Sequence, residues 1–351
     1  MSGNSKTSSK KRGCLKWGGV AVGALALLLI ALLALTWFQG SRAKAELRAK
    51  YPPPGQMVDV GGYRMHIYCQ GTGSPTVVMD AGLGDFSLAW SLVQPQVAQS
   101  TRVCAYDRAG LGWSERGPKP RTVQNIVEEL HTLLTEGGIE GPYVLVGHSM
   151  GGVYVRAYAF DYPEEVVGMV LVDTSHEDQN SRFPTAFSEL NAKVRAQMAQ
   201  FLLVPRLVNS VGLLAMYPED YPGAYLPPLS EAAKEVYKGV ILSDTRYFAA
   251  VAEQYAYVED NFAEVREMNI TTLGDIPLVV LSSAKLELPE GYGLTEEDIA
   301  EMHTVQAQMH AELAALSPQG VVVRAEESTH YIQFDQPGLV IQAINQVLEA
   351  Q

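Results

Sequence analysis

Apolar residues along this chain fall into two regimes. From Leu15 to Phe38 they run almost unbroken, interrupted only by Lys16, Thr36 and a few glycines. That is enough to cross a bilayer as one helix. Beyond residue 55 the apolar runs become short and are separated by turn residues. Val58–Asp59 and Tyr63–Tyr68 flank Gly61-Gly62 and predict a hairpin. Pro75–Met79, Thr101–Tyr106, Tyr143–Val146, Val166–Val172, Pro277–Leu281 and Val321–Val323 predict six further strands. Helical spacing falls between them: at Thr122–Glu136 through Val123, Ile126, Val127, Leu130 and Leu134, at Val153–Tyr162 before Pro163, and at Leu339–Glu349. Continuously apolar strands alternating with helices predict an α/β fold, a doubly wound, mostly parallel eight-stranded sheet covered on both faces. Between Asp173 and Pro277 lies a stretch with helical windows, prolines and many Met, Leu and Tyr. At roughly 100 residues it is too long for an unstructured loop, and it predicts a helical cap inserted over the sheet.

Charge sharpens this division. The 351 residues carry a formal net charge of −13, yet residues 1–50 hold nine of the 26 Lys and Arg and one acid, Glu46. The remaining chain is therefore strongly acidic, which argues against nucleic acid or an anionic membrane surface as its main partner. Residues 1–14 form a basic tail that reads as disordered and cytosolic. Residues 15–38 form a transmembrane anchor with Trp17 and Trp37 at its two ends, where interfacial aromatics belong. A cleaved signal peptide is the competing reading, since Ala43-Lys44-Ala45 has the form of a cleavage site, but the apolar run is longer than such peptides need. The basic tail favours a single-pass protein with its body outside the cytoplasm, although Arg42, Lys44, Arg48 and Lys50 nearly balance it. Residues 39–55, ending in Tyr51-Pro-Pro-Pro-Gly55, read as a linker that holds the body off the membrane. The core then comprises 56–173 and 276–351, with the cap at 174–275.

The candidate chemistry gathers where strands end. Gly147-His-Ser-Met-Gly151 follows one strand and precedes a helix, the context of a nucleophile elbow whose serine, Ser149, stands at the apex of a sharp turn. Serine at its ordinary pKa needs a base within hydrogen-bond reach. His330 follows the last strand and precedes the last helix, and strand ends converge in such a sheet. His66 reads as structural, His148 and His176 as pocket support, and His303 and His310 as surface groups.

With those segments in order, Asp80-Ala-Gly-Leu-Gly, Tyr106-Asp-Arg-Ala-Gly-Leu-Gly-Trp-Ser, Gly147-His-Ser-Met-Gly and Ser328-Thr-His330, the chain from Tyr51 to Gln351 resembles the α/β-hydrolase superfamily. The resemblance implies acyl attack by Ser149, proton transfer by His330, and an oxyanion hole built from the backbone N–H groups of Met150 and Leu83. Ala81-Gly82 replaces the family's usual His-Gly, at a loop where only backbone donors are required. The acid is open. Leu286 stands where the family's acid usually follows the seventh strand, which leaves Asp173, at the end of the sixth strand, or Glu287, with Asp178 as a further carboxylate. Asp173 resembles the acid site of some haloalkane dehalogenases and of the pancreatic lipases. The fold also sets Cys69 and Cys104 on neighbouring strands, where they form a disulfide if the body is exported and remain buried thiols otherwise.

The expected activity is that of a membrane-anchored serine hydrolase cleaving a carboxylic ester, less readily an amide, with an apolar portion. A serine nucleophile is incompatible with the alkyl-enzyme chemistry of dehalogenases and epoxide hydrolases. A non-catalytic ligand-binding protein and a haloperoxidase-like activity on the same residues are the alternatives. No cofactor or metal is implied. The expected partners are a small or lipid-like ester and the membrane.

Overall fold

A computed structural model describes residues 8–118, 120–221, 227–285 and 293–351. Its centre is an eight-stranded sheet in the order β1-β2-β4-β3-β5-β6-β7-β8. The strands are β1 (Gln56–Asp59), β2 (Arg64–Gln70), β3 (Thr76–Asp80), β4 (Val103–Tyr106), β5 (Tyr143–His148), β6 (Val166–Val172), β7 (Leu278–Ser283) and β8 (Gly320–Ala325). β1 and β2 pair antiparallel around Gly61-Gly62, β2 joins β4 antiparallel, and the other pairings are parallel. β3, β4 and β5 are buried along their whole length, as expected of strands covered on both faces.

The helices are α1 (Ser8–Lys50), α2 (Gln94–Val97), α3 (Val123–Glu136), α4 (Met150–Asp161), α5 (Gln179–Arg182), α6 (Thr185–Ser210), α7 (Leu213–Met216), α8 (Glu231–Ser243), α9 (Tyr247–Ala256), α10 (Val258–Met268), α11 (Glu296–Ala314), α12 (Ile332–Asp335) and α13 (Pro337–Glu349). α3, α4 and α11 bury their apolar faces on one side of the sheet, through Ile126, Leu130, Val153 and Leu313. α2 and α13 cover the other side through Val93, Val97, Val340 and Ile344. A third cluster, separate from both, packs Tyr237, Val240 and Phe248 of α8 and α9 over Ala81, Phe86 and Leu111. Between β6 and β7 the described elements are the helices α5 to α10 and a short 3-10 turn, in keeping with the helical cap. Cys69 and Cys104 face each other across β2 and β4 and are joined as a disulfide.

Two expectations change at the N-terminus. The segment read as disordered is helical from Ser8, and the helix runs on through the supposed linker to Lys50. It does so because residues 40–50 find a partner. Gly40 lies against the α6–α7 corner so closely that a Cβ would sit 2.0 Å from Val211 O. Lys44 donates from Nζ to Asn209 O and Ser210 O (3.1 and 3.2 Å), and Arg48 donates to Ser243 O. These carbonyls end α6 and α8, where a helix has acceptors without intrahelical donors and favours a cation. Tyr51 then packs its ring on Gly239, and its carbonyl accepts from Trp113 Nε1 at 2.9 Å. The helix is joined to the cap rather than spaced from it.

Candidate active site

The crevice at the carboxyl ends of β5, β6 and β8 is built from three turns. After β5 the backbone reverses at Ser149, whose φ of 54° is strained for a residue with a side chain. The neighbouring glycines make that turn possible. A Cβ on Gly147 would meet Gly152 Cα at 2.5 Å, and one on Gly151 would meet Asp80 O at 2.5 Å. After β6 comes Asp173, also in the left-handed region with φ 40°. His330 follows β8 and reaches back across the sheet.

Asp173 Oδ2 lies 2.7 Å from His330 Nδ1. Its other oxygen, Oδ1, accepts from Ser283 N at 2.8 Å and from Gln306 Nε2 at 3.0 Å. Burial alone would raise the Asp173 pKa, but the hydrogen bond and charge of His330, helped by His310 and Ser283 N–H, outweigh it and bring the group down to about 2. Asp173 is thus a carboxylate at neutral pH. It accepts the Nδ1 proton and leaves Nε2 of His330 as the basic nitrogen. The His330 side chain is 46 % exposed whereas Asp173 is 2 % exposed, so the imidazole is far more accessible than the carboxylate behind it.

Ser149, His330, Leu83 and Met150 line one cavity of about 350 Å³. Much of the remaining wall is apolar, with Phe183, Phe187, Val194, Phe262, Met302 and Met309. Of the alternative acids, Glu287 lies outside the described residues. Asp178 stands at the N-cap position of α5, 3.7 Å from Arg266, and is not among the residues that line the cavity.

The other histidines divide differently from expectation. His66 is buried and paired with Asp107 at 2.9 Å, a structural role as expected. His148 supports the site: its Nε2 donates to His330 O at 2.9 Å, and its Nδ1 accepts from Gln333 Nε2 at 3.2 Å. Burial first, then the charge of His330, drives its pKa down to about 3, so it stays neutral. His176 is buried outside the cavity lining, with Nδ1 accepting from Asp178 N. His303 and His310 were expected at the surface but both line the cavity. His310 is fully buried, and Nε2 lies 3.1 Å from Thr174 O. Helical spacing alone did not separate the inward from the outward side of α11.

Sequence reasoning also missed the clamp on the loop after β3. Arg108 is buried against Asp80 and donates to Ala81 O at 2.6 Å and to Gly82 O. Gln254 of α9 accepts from Gly84 N at 3.2 Å. The loop carrying Leu83 is therefore fixed by an arginine from the β4 turn and an amide from the cap.

Comparisons with known proteins agree with this architecture. Residues 77–343 match the model of a family described as the alpha/beta hydrolase family. The uncharacterized protein YbdG of Bacillus subtilis is 22 % identical over 91 % of this chain and 92 % of its own. A stretch covering 36 % of this chain is 35 % identical to the "Probable transporter efuK" of Hormonema carpetanum, where it amounts to only 20 % of that protein. Among solved structures, the meta-cleavage product hydrolase of Pseudomonas fluorescens IP01 superposes with a TM-score of 0.55 at 17 % identity, over 84 % of this chain and 98 % of that one. The order of strands, the serine turn and the match across most of the chain lead to one conclusion: this protein belongs to the alpha/beta hydrolase family.

Proposed function

We propose that the chain is a membrane-anchored serine hydrolase that cleaves a carboxylic ester with an apolar portion. The observation that carries this reading is the 2.7 Å contact between Asp173 and His330 in the cavity that Ser149 lines. In this mechanism His330 Nε2 takes the Ser149 hydroxyl proton as Oγ attacks the ester carbonyl carbon. The negative charge that develops on the carbonyl oxygen is met by the backbone N–H groups of Met150 and Leu83. Collapse breaks the bond to the alcohol oxygen, which leaves with the proton from His330. Water then attacks the acyl-Ser149, giving its proton to His330, and the acid departs as Ser149 regains its hydrogen. Asp173 stays ionised throughout and stabilises the imidazolium formed in each half. An intact acid–base pair in the same cavity as the serine favours this reading over ligand capture without turnover.

Three observations support the anchor. Val20–Lys50 includes a window of mean hydropathy 2.6, and Val20, Leu25, Leu29, Leu33 and Phe38 are exposed. Phe201, Leu203, Val204, Leu207, Leu213 and Tyr217 of the cap are exposed as well, beside the corner that Gly40 touches. From Ala196 to Tyr217 the single charged residue is Arg206. Such a face suits the boundary between headgroups and acyl chains. The Cys69–Cys104 disulfide fits a body held in an oxidising compartment, outside the cytoplasm.

The test uses the full chain in detergent, because residues 40–51 are part of the cap's packing. Hydrolysis of p-nitrophenyl esters of increasing acyl length is measured beside Ser149→Ala. We expect turnover to fall by at least about 10³-fold in the variant. If the folded wild-type chain turns over no ester and is not labelled by a serine-reactive phosphonate, the reading is wrong.

A further inference from the structure

Five acidic side chains are buried among the described residues: Asp80, Asp85, Asp107, Glu129 and Asp173. Four have a cationic or imidazole partner, respectively Arg108, His66, Arg121 and His330 for Asp80, Asp107, Glu129 and Asp173. Asp85 has none within ion-pair distance among the described residues. It is 5 % exposed, and the hydrogen bond its carboxylate accepts from Tyr237 Oη is long, at 3.3 Å. A buried carboxylate without a counter-charge is costly, and a structure retains one where something else supplies the charge.

Asp85 does not face packed core. It lines a second cavity of about 270 Å³, behind the oxyanion loop and beneath α6, α8 and α9. This chamber shares Leu83 and Tyr255 with the cavity of Ser149 and His330. Its wall is aromatic, with Tyr221, Tyr237, Tyr247, Phe248, Tyr255 and Tyr331. The hydroxyls of Tyr237 and Tyr247 lie 3.1 Å from each other, Tyr247 donates to Gly84 O at 2.9 Å, and Tyr237 gives Asp85 a long neutral hydrogen bond, so neither supplies the carboxylate with a counter-charge.

We propose that this chamber binds an alkylated ammonium group carried by one arm of the ester substrate. The inference rests on the ester hydrolase reading and specifies its substrate class. Leu83 sits at the junction of the two cavities, so an ester held at the expected oxyanion site has room for its two arms in different chambers. The first chamber, rich in Phe and Met, suits an apolar arm. The second offers one carboxylate and six aromatic rings, and of its other oxygens the Tyr237 and Tyr247 hydroxyls and Gly84 O are already bonded to one another. A primary ammonium needs acceptors for three N–H groups, and a small metal ion needs several oxygens. A tertiary or quaternary ammonium needs neither, and aromatic rings with a nearby carboxylate are what attract it.

The probe is choline, compared with 3,3-dimethylbutan-1-ol, which has the same shape without the charge. Binding of each to the full chain in detergent is followed by isothermal titration, so no turnover is needed. We expect choline to bind about tenfold or more tightly than the neutral alcohol, and Asp85→Asn to abolish the difference. Equal binding of the two by the wild-type protein, or binding of neither, overturns the proposal without any variant having to fold. A preference that survives Asp85→Asn overturns it too. Hydrolysis of p-nitrophenyl butyrate by the same preparation reports separately on the hydrolase. A choline preference without esterase activity would sink the reaction and leave the site.

Discussion

Asp173 and Asp85 are the same residue in nearly the same degree of burial, and they end up on opposite sides of the ordinary carboxylate range. Burial pushes both upward. At Asp173 the His330 contact, the Ser283 N–H and the His310 charge reverse the shift and bring the group down to about 2. At Asp85 burial prevails over the Tyr237 hydrogen bond and the charges of Arg108 and His330, and the group goes up to about 6. Burial therefore does not decide what a carboxylate does; its donors do. The crevice is a completed arrangement, ready to hold an imidazolium. The side chamber lacks one charge, which an incoming group can bring.

The sharpest way to break this contrast is at Asp173. Asp173→Asn removes the carboxylate that fixes the His330 tautomer, and kcat for p-nitrophenyl butyrate should fall about 10³- to 10⁴-fold, read by steady-state kinetics. Glu287→Gln in the same assay tests the other acid. If it causes the larger loss, the assignment of Asp173 is wrong.

The next effect is on stability. Because the folded pKa of Asp85 is raised to about 6, the stabilising contribution of its neutral form is complete below about pH 4 and is lost as pH rises through 6. Asparagine does not ionise. Asp85→Asn should therefore unfold at a higher temperature than wild type at pH 8, by up to about 3 kcal/mol, with the gain gone near pH 4. Asp173, with its folded pKa depressed, has the opposite sign. Its contribution is present above about pH 4 and fades as pH falls through 2, so Asp173→Asn should lose about 2 kcal/mol at neutral pH. Thermal melts of both variants across pH check this, and shifts of the same sign at pH 8 would refute the contrast.

The smallest effect is at His148. It holds the His330 carbonyl from behind, and His148→Phe should lower kcat about tenfold through misplacement of the base. Being neutral, His148 should add no inflection to the pH–rate profile between pH 5 and 8. A wild-type inflection that disappears in His148→Phe would contradict the assignment.

Much of this was legible in the chain. The strands are short apolar runs with clear stops, and the serine turn, the last histidine and Asp173 each sit at a strand end, so local pattern and topology together brought them to one crevice. What escaped depended on contacts made at long range. Arg108 reaches back to the loop after another strand, and Gln254 reaches it from the cap; neither has a local signature. His310 was misread because α11 has helical spacing without a strongly one-sided face, and packing beside Thr174 chose its inner side. Lys44 and Arg48 were counted as flanking charges of a membrane segment, whereas both spend their N–H groups on the ends of cap helices. Asp85 gave no signal at all, since only the finished cap shows it to be without a counter-charge among the described residues.

The contact between Gly40 and the α6–α7 corner has a further consequence. An anchored domain on a flexible leash sweeps a volume set by the leash, and it can meet substrates well above the membrane. Here helix and cap abut, and the leash has no length. If the proposed anchor holds the helix in a bilayer, Ser149 would keep one altitude and the protein would search a plane. Its turnover would then follow the number of substrate molecules per unit area of membrane, not their concentration in the surrounding volume.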